Sequence, residues 1–246
     1  MALELPPLTP YDVDLVVPAT LQGNTAEERI RRRLTVTEPY VTRRSLEQLY
    51  ELGVNPALLS ASSPDDDYFL LVFGCAFRPG PDGDSAPFKE ANIGIRLDSP
   101  GAKRAPVALA LSPDTASATS GNSSFRIALS VPLGVAEPSV EYAAEGAREE
   151  RYITAYGLGS SNPEWLLREQ PGHPLDGDVL LAVVVGVPAG VPVVAEVIVA
   201  ASLRRLRLLR SRAELPPRLH TIDLASSARR TLPGGPAGAL PQGAGQ

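Results

Sequence analysis

The densest charged group in the sequence is an arginine cluster within residues 203–212, LRRLRLLRSR. Guanidinium groups bind carboxylates and phosphates, so this cluster can contact an acidic protein, an anionic lipid surface or RNA. Its leucines follow neither a strand period nor a narrow helical stripe. The candidate partner-binding residues are Arg204, Arg205, Arg207, Arg210 and Arg212. We favour an internal alternative, in which these arginines pair with Glu141, Glu145, Glu149 and Glu150.

Carboxylates form the second group that can do chemistry. Asp65, Asp66 and Asp67 precede a long apolar strand, and Asp98 follows the next predicted strand. Because consecutive antiparallel strands run in opposite directions, Asp98 returns to the end of the sheet that holds the three aspartates. Loop carboxylates are ligands that Ca²⁺ takes in proteins, so these four residues are a candidate calcium site. The competing interpretation is a simply solvated acidic loop.

Catalytic nucleophiles and bases are sparse. The single cysteine, Cys75, lies inside an apolar segment, which predicts a buried and unreactive thiol. His173 and His220 lie beside proline-rich turns, without neighbours at the spacing of metal ligands. His173 with Asp176 or Asp178 and a serine makes a conceivable triad, but the sequence has no G-x-S-x-G turn to present that serine.

Cofactor motifs are also lacking in the sequence. GLGSSN at residues 157–162 has only two of the three glycines of a dinucleotide-binding turn and precedes a predicted strand, so we predict a plain turn. No P-loop, H-E-x-x-H or C-x-x-C motif occurs. We therefore expect no cofactor and no enzymatic activity.

Composition narrows the class of protein. The 246 residues carry a net charge of −5, whereas nucleic-acid binders usually present a basic footprint, so no nucleic-acid partner is expected. One cysteine allows neither an intramolecular disulfide nor a cysteine-built zinc site. The N-terminus lacks the basic start and apolar stretch of a signal peptide, so we expect a cytoplasmic location. The Ala, Gly, Pro and Arg usage is typical of a GC-rich, bacterial coding sequence.

The longest apolar stretch is VLLAVVVGVPAGVPVVA, residues 179–195. It is too short for a transmembrane helix, which needs about 20 apolar residues, and Pro188 and Pro192 would break any helix. A β-hairpin turning at Ala189 fits better, with alternate valines directed to the core. Because Pro192 cannot donate a hydrogen bond, Val191–Ala200 is predicted to be an edge strand that can accept an added strand from a partner.

The remaining patterns define the fold class. Helices are predicted from Thr25 to Leu34, within 41–53 and from Pro56. Short alternating segments then follow one another without intervening helices. We predict a mainly β chain: an N-terminal extended and helical segment over 1–62, an antiparallel β-sandwich of about nine strands over 63–224, and a disordered Gly/Pro-rich tail over 225–246.

The function expected from these patterns is a non-enzymatic protein-interaction or adaptor module with a protein partner. Two alternatives stay open. One is a calcium-dependent sandwich that binds anionic lipid through the four aspartates. The other is a serine hydrolase whose nucleophile lies in a serine-rich loop.

Overall fold

The computed structural model of the chain describes residues 2–17, 28–60, 63, 65–78, 87–113, 128–130, 152–169, 175–203 and 211–230. The strands are β1 Ala2–Glu4, β2 Pro10–Val17, β3 Glu28–Thr37, β4 Tyr40–Arg44, β5 Asp67–Phe77, β6 Phe88–Asp98, β7 Val107–Ser112, β8 Ala128–Ser130, β9 Tyr152–Tyr156, β10 Glu164–Arg168, β11 Gly177–Val187, β12 Val194–Leu203, β13 Ser211–Ala213 and β14 Thr221–Asp223. The helices are α1 Leu46–Glu51, α2 Pro56–Ser60, α3 Pro217–His220 and α4 Leu224–Arg230.

One large antiparallel sheet organises the described residues. It has twelve strands in the order β7-β11-β5-β3-β2-β13-β12-β6-β10-β9, with β4 also pairing β5 and β14 also pairing β12. Strands β1 and β8 form a separate parallel pair. The predicted mainly antiparallel β class is confirmed. The two-layer sandwich and the count of about nine strands are not confirmed, because the sheet is single, nearly closed and barrel-like.

The connection between β9 and β10 brings the two ends of the sheet together. Ala108 on β7 donates its N–H to the Ser160 carbonyl at 2.9 Å and accepts from the Gly159 N–H at 2.7 Å. The same connection bonds β6, where the Leu97 N–H donates to Ser161 at 2.8 Å. We call residues 157–163, with these contacts to β6 and β7, the closed seam.

Two apolar clusters cover the two faces of the sheet. The larger cluster fills the inside and contains the fully buried Phe73 and Trp165, whose rings meet edge to face with centroids 6.0 Å apart. The smaller cluster lies on the outer face of β5 and β11, where Leu49 of α1, Leu59 of α2 and Leu5 cover it. Strand β11 is therefore buried on both faces, whereas β12 buries one face only.

The predicted hairpin over residues 179–195 is wrong in its pairing. The turn forms as predicted: Gly190 has a φ of 70°, and the Val191 N–H donates to Pro188 at 3.3 Å. However, β11 pairs β5 and β7, whereas β12 pairs β6 on one side and β13 and β14 on the other. The connection crosses the molecule between two parts of the sheet. The predicted Val191–Ala200 edge strand is wrong, because β12 has neighbouring strands on both sides.

The predicted N-terminal helical segment is also wrong over its first part. Residues 28–37 form β3, which pairs β2 and β5, where a helix to Leu34 was expected. Segment 1–62 thus contributes β2, β3 and β4 to the main sheet. Residues 225–230, the first part of the predicted tail, belong to α4. The remainder of the predicted tail, 231–246, lies outside the described residues.

Strands β3 and β4 act together as one long neighbour of β5, with an irregularity between them. Val36 faces Cys75 and Tyr40 faces Val72, so the register of the pairing shifts by one residue between the two strands. At this shift the Gly74 N–H donates to the Thr37 hydroxyl at 2.7 Å instead of to a main-chain carbonyl. A buried side chain thereby satisfies a backbone donor that would otherwise lose its hydrogen bond.

Candidate functional site

Arg212, the one predicted partner-binding arginine within the described residues, lies on β13 with its side chain exposed. Strand β13 is a short insertion between β12 and β2, so Arg212 faces Ala200 on one side and Val16 on the other. Val16 in turn faces Arg29 of β3. Arg29 and Arg212 are therefore separated by two strand spacings, about 10 Å.

A bulge in β3 places more arginines beside this pair. Val13 faces Leu34 but Leu15 faces Ile30, so two additional residues of β3 are accommodated between these pairs. Arg32 lies in the bulge with a φ of 55°, and among the described residues it is the only non-glycine with positive φ. That conformation brings the Cβ of an L-residue close to its own carbonyl and costs roughly 1–2 kcal/mol.

Ion pairs hold part of the cluster in place. Arg29 donates from its two Nη atoms to the Glu214 carboxylate at 3.0 and 3.3 Å, across the intervening strand β2. Arg31 lies 3.8 Å from Asp14 and is 74% exposed. Arg32 is exposed and has no ion pair within the described part of the chain, as is the case for Arg212. We call Arg29, Arg31, Arg32 and Arg212 the arginine surface.

Sequence reasoning identified one residue of this surface and missed three. Arg29, Arg31 and Arg32 were assigned to a helix, so their position beside β13 could not be inferred. Three consecutive arginines at 31–33 were an available signal, because strict alternation in a strand would bury at least one of them. In the structure Arg33 is buried, at 5% exposure, whereas Arg31 and Arg32 at the bulge are exposed. The other predicted arginines, and their predicted glutamate partners, lie outside the described residues: Arg204, Arg205, Arg207, Arg210, Glu141, Glu145, Glu149 and Glu150.

The predicted calcium ligands lie at one end of the sheet but are not gathered into a site. Asp66 accepts hydrogen bonds from the Ser63 N–H and from Arg104, and its side chain is 5% exposed. Asp67 pairs with Arg43. Asp98 faces Val194, and no group of three His, Cys, Asp or Glu side chains with metal-binding geometry occurs in the described ranges. Arginines thus hold two of the four predicted carboxylates.

The predicted nucleophile and base positions have ordinary surroundings. Cys75 is buried in the inner cluster as predicted, and burial raises the pKa of its thiol to about 12, so the nucleophilic thiolate is disfavoured. The Nδ1 of His220 lies 3.0 Å from the Thr221 hydroxyl. His173 lies outside the described residues. GLGSSN is a turn, as predicted.

A search of curated proteins and a scan of protein-family models find no match for the chain. Among the described residues, no helix is long and apolar enough to cross a bilayer.

Proposed function

We propose that the chain is a non-enzymatic protein-interaction module that binds an acidic region of a partner protein on the arginine surface. The observation that supports this most is the left-handed backbone of Arg32, in the bulge of β3 three residues from Arg29. Strained residues of this kind persist where the surrounding structure imposes them, and they cluster at functional sites. An exposed arginine contributes little to packing, so a binding role accounts for the strain better than a structural role does.

The signs of the neighbouring charges favour a protein partner over a nucleic acid. Asp14 and Glu214 lie among the arginines and bind two of them. These carboxylates would repel a continuous row of phosphates, whereas an acidic protein region can place its carboxylates opposite the arginines alone. A nucleic acid presents phosphates only, and its binders need an excess of basic groups, whereas this chain has a net charge of −5.

Charge reversal tests the proposal. Arg212→Glu and Arg32→Glu are compared with Lys103→Glu, which makes the same charge change at an exposed position. Lys103 follows Asp98, which faces the first residue of β12, whereas Arg212 faces the seventh. The control therefore lies about 20 Å away along the strand. The probe is a fluorescent oligoglutamate peptide, measured by anisotropy at low salt.

We expect each arginine reversal to weaken peptide binding about tenfold, which is about 1.4 kcal/mol, while Lys103→Glu changes it less than twofold. Equal effects of all three variants would show a general charge effect and contradict the proposal. Tighter binding of a single-stranded oligonucleotide or of phosphatidylserine vesicles than of the peptide would likewise overturn it.

The two alternative functions have their own tests. Calorimetric titration with millimolar Ca²⁺ addresses the lipid-binding sandwich, for which Asp66 and Asp67 would first have to leave Arg104 and Arg43. Labelling with a fluorophosphonate probe addresses the serine hydrolase. No contact in the described residues favours either alternative over the interaction module.

A further inference from the structure

A cavity of about 430 Å³ opens at the place where the sheet lacks a strand. Strands β3, β2 and β13 fill the space between β5 and β12 along one part of the sheet. Further along, β4 pairs β5 and β14 pairs β12, but β4 and β14 do not pair with each other. We call this place, between β4 and β14, the open seam.

Helix α4 covers the open seam without filling it. The helix starts directly after β14, contacts β4, and its first N–H, that of Leu224, donates to Val193 at 3.1 Å. A helix with its side chains is about 10 Å across, twice the strand spacing, so it cannot enter the gap as a strand would. The cavity is the space left between the helix, β4 and the crossing connection that ends at Val193.

The walls of the cavity are mostly apolar. Phe69 lines it from β5, Val191 and Val193 from the connection, and Leu224 and Ala228 from α4. Its volume falls in the lower part of the range of small-molecule sites, about 300–1,000 Å³. An apolar body shorter than a typical drug fits such a space.

Three polar or charged side chains also line the cavity, those of Thr42, Arg43 and Asp67. Arg43 donates to the Asp67 carboxylate. The Arg43 side chain is 66% exposed and that of Asp67 21%, so the cation is the group that a ligand can reach. A guanidinium carries five N–H donors, so Arg43 can keep Asp67 and bind a second carboxylate.

The same ion pair separates two cavities. Arg43 and Asp67 also line a more open cavity of about 570 Å³, together with Arg44, Ser45 and Tyr68. A carboxylate bound to Arg43 therefore lies where the first cavity meets a second, more open one that charged side chains line. An amphipathic acid can place its carboxylate at this boundary and its apolar body in the first cavity.

We propose that the open seam binds a small organic acid with a short apolar body. Its carboxylate pairs with Arg43, and its apolar part lies between Phe69, Leu224 and Ala228. This site is separate from the arginine surface, and neither proposal depends on the other.

The test uses the full chain and octanoate as the probe, with 1-octanol and octylamine as ligands of the same length and different charge. Isothermal titration calorimetry is expected to show saturable octanoate binding, at least tenfold tighter than that of either comparison ligand. Equal affinity for octanoate and octanol, or no saturable heat up to millimolar octanoate, would overturn the proposal.

Matched variants separate the site from general effects. Arg43→Gln is expected to abolish the preference for octanoate, whereas Arg96→Gln is expected to keep it. Arg96 is a suitable control because its ion pair with Glu196 has similar exposure, 58% and 25%. Retention of the preference in Arg43→Gln would overturn the proposal, and this exposed substitution leaves the core intact.

Filling the cavity gives an independent result. Ala228→Phe is expected to lower octanoate affinity at least tenfold, whereas Ser226→Phe, on the exposed side of α4, is expected to leave it unchanged. Binding that appears only after residues 231–246 are deleted would assign the cavity to the chain's own C-terminus and would overturn the proposal for a free acid.

Discussion

The two seams of the sheet are closed in different ways, one by backbone hydrogen bonds and the other by a helix. At the closed seam, backbone groups of residues 157–163 bond directly to β6 and β7, at distances of 2.7 to 2.9 Å. At the open seam, α4 covers the gap with apolar side chains, and its Leu224 N–H donates to the Val193 carbonyl. The second arrangement leaves a cavity of about 430 Å³.

The two kinds of closure require different residues in the sequence. Closure by backbone bonding needs special conformations at a few positions, since Gly157 and Gly159 both have positive φ. Closure by a helix needs only apolar residues of suitable size, such as Leu224 and Ala228. The closed seam should therefore be sensitive to single backbone changes, and the open seam to the loss of side-chain volume.

The largest effect is expected from Gly157→Ala. A Cβ at this position would lie 2.4 Å from the Asn162 carbonyl oxygen, in a backbone with a φ of 82°. Strain and overlap together should destabilise the fold by about 4 kcal/mol or more, measured by urea unfolding. The control is Gly159→Ala, with a φ of 76° and no atom within 4 Å, for which about 1 kcal/mol is expected. Equal losses would contradict the role of close packing at Gly157.

The corresponding change at the open seam is Leu224→Ala. Leu224 is fully buried in the inner cluster, so its truncation should cost about 3 kcal/mol in the same unfolding experiment. Leu158→Ala removes the same atoms from a residue that is 54% exposed in the closed seam, and less than about 0.5 kcal/mol is expected. A small effect of Leu224→Ala would mean that α4 does not hold the open seam together.

A pH-dependent effect is expected from Cys75, on the strand that links β4 of the open seam to β11 beside the closed one. Burial raises its pKa from 9.0 to about 12, so between these values the unfolded chain loses a proton that the folded chain keeps. Stability is therefore complete below pH 9 and falls as the pH rises above it, by about 1 kcal/mol per pH unit.

Urea unfolding of the wild type and of Cys75→Ala between pH 7 and pH 11 isolates this contribution. The difference in the free energy of unfolding should be constant up to about pH 9 and then change in favour of the variant. A constant difference throughout, or rapid labelling of the native thiol by a disulfide reagent at pH 8, would show that β5 is accessible between the seams.

The smallest effect on stability is expected at Arg32, a residue that has a positive φ but is not glycine. Arg32→Gly removes the strain at a φ of 55° but adds the backbone entropy of glycine to the unfolded state. We expect a net stabilisation of up to about 1 kcal/mol, together with weaker binding of the oligoglutamate peptide. If the variant is more stable but binds the peptide as tightly as the wild type, Arg32 has no role in binding despite its strained backbone.

Sequence patterns within a few residues correctly predicted several elements of secondary structure and the faces that they bury. The alternation in ANIGIRL, residues 91–97, predicts a strand with Ile93, Ile95 and Leu97 directed inward, and all three are buried in β6. The capping box formed by Ser45 and Gln48 starts α1 within the region predicted to be helical. Both signals lie within a few residues, so distant contacts cannot override them easily.

Pairing partners could not be obtained in this way. Residues 28–33 are mostly Glu and Arg, which favour helices, yet pairing with β2 and β5 makes β3 a strand. For the apolar stretch, alternation indicates which side chains point inward but not which strand lies beside them. One signal was available. Strand β11 is apolar at nearly every position, which predicts burial of both faces, whereas β12 alternates, which predicts burial of one face only.

The candidate sites depend on these pairings and were recovered only in part. Arg212 was identifiable because its arginine cluster is dense in sequence. Arg43 was not, since its role arises from Asp67 and from α4, which starts at Leu224 far along the chain. Sites assembled by a crossing connection leave no local pattern.

The crossing at Pro188–Gly190 also has a kinetic consequence. Strands β11 and β12 follow each other in sequence but pair with different strands, so the tight turn between them does not form a hairpin. Strand β11 can pair only after it meets β5, which lies about a hundred residues earlier in the chain, and β12 must likewise meet β6. Long loops must close before these contacts stabilise anything, which places this chain among slow-folding topologies and leaves its valine-rich strands exposed to aggregation while they are unpaired.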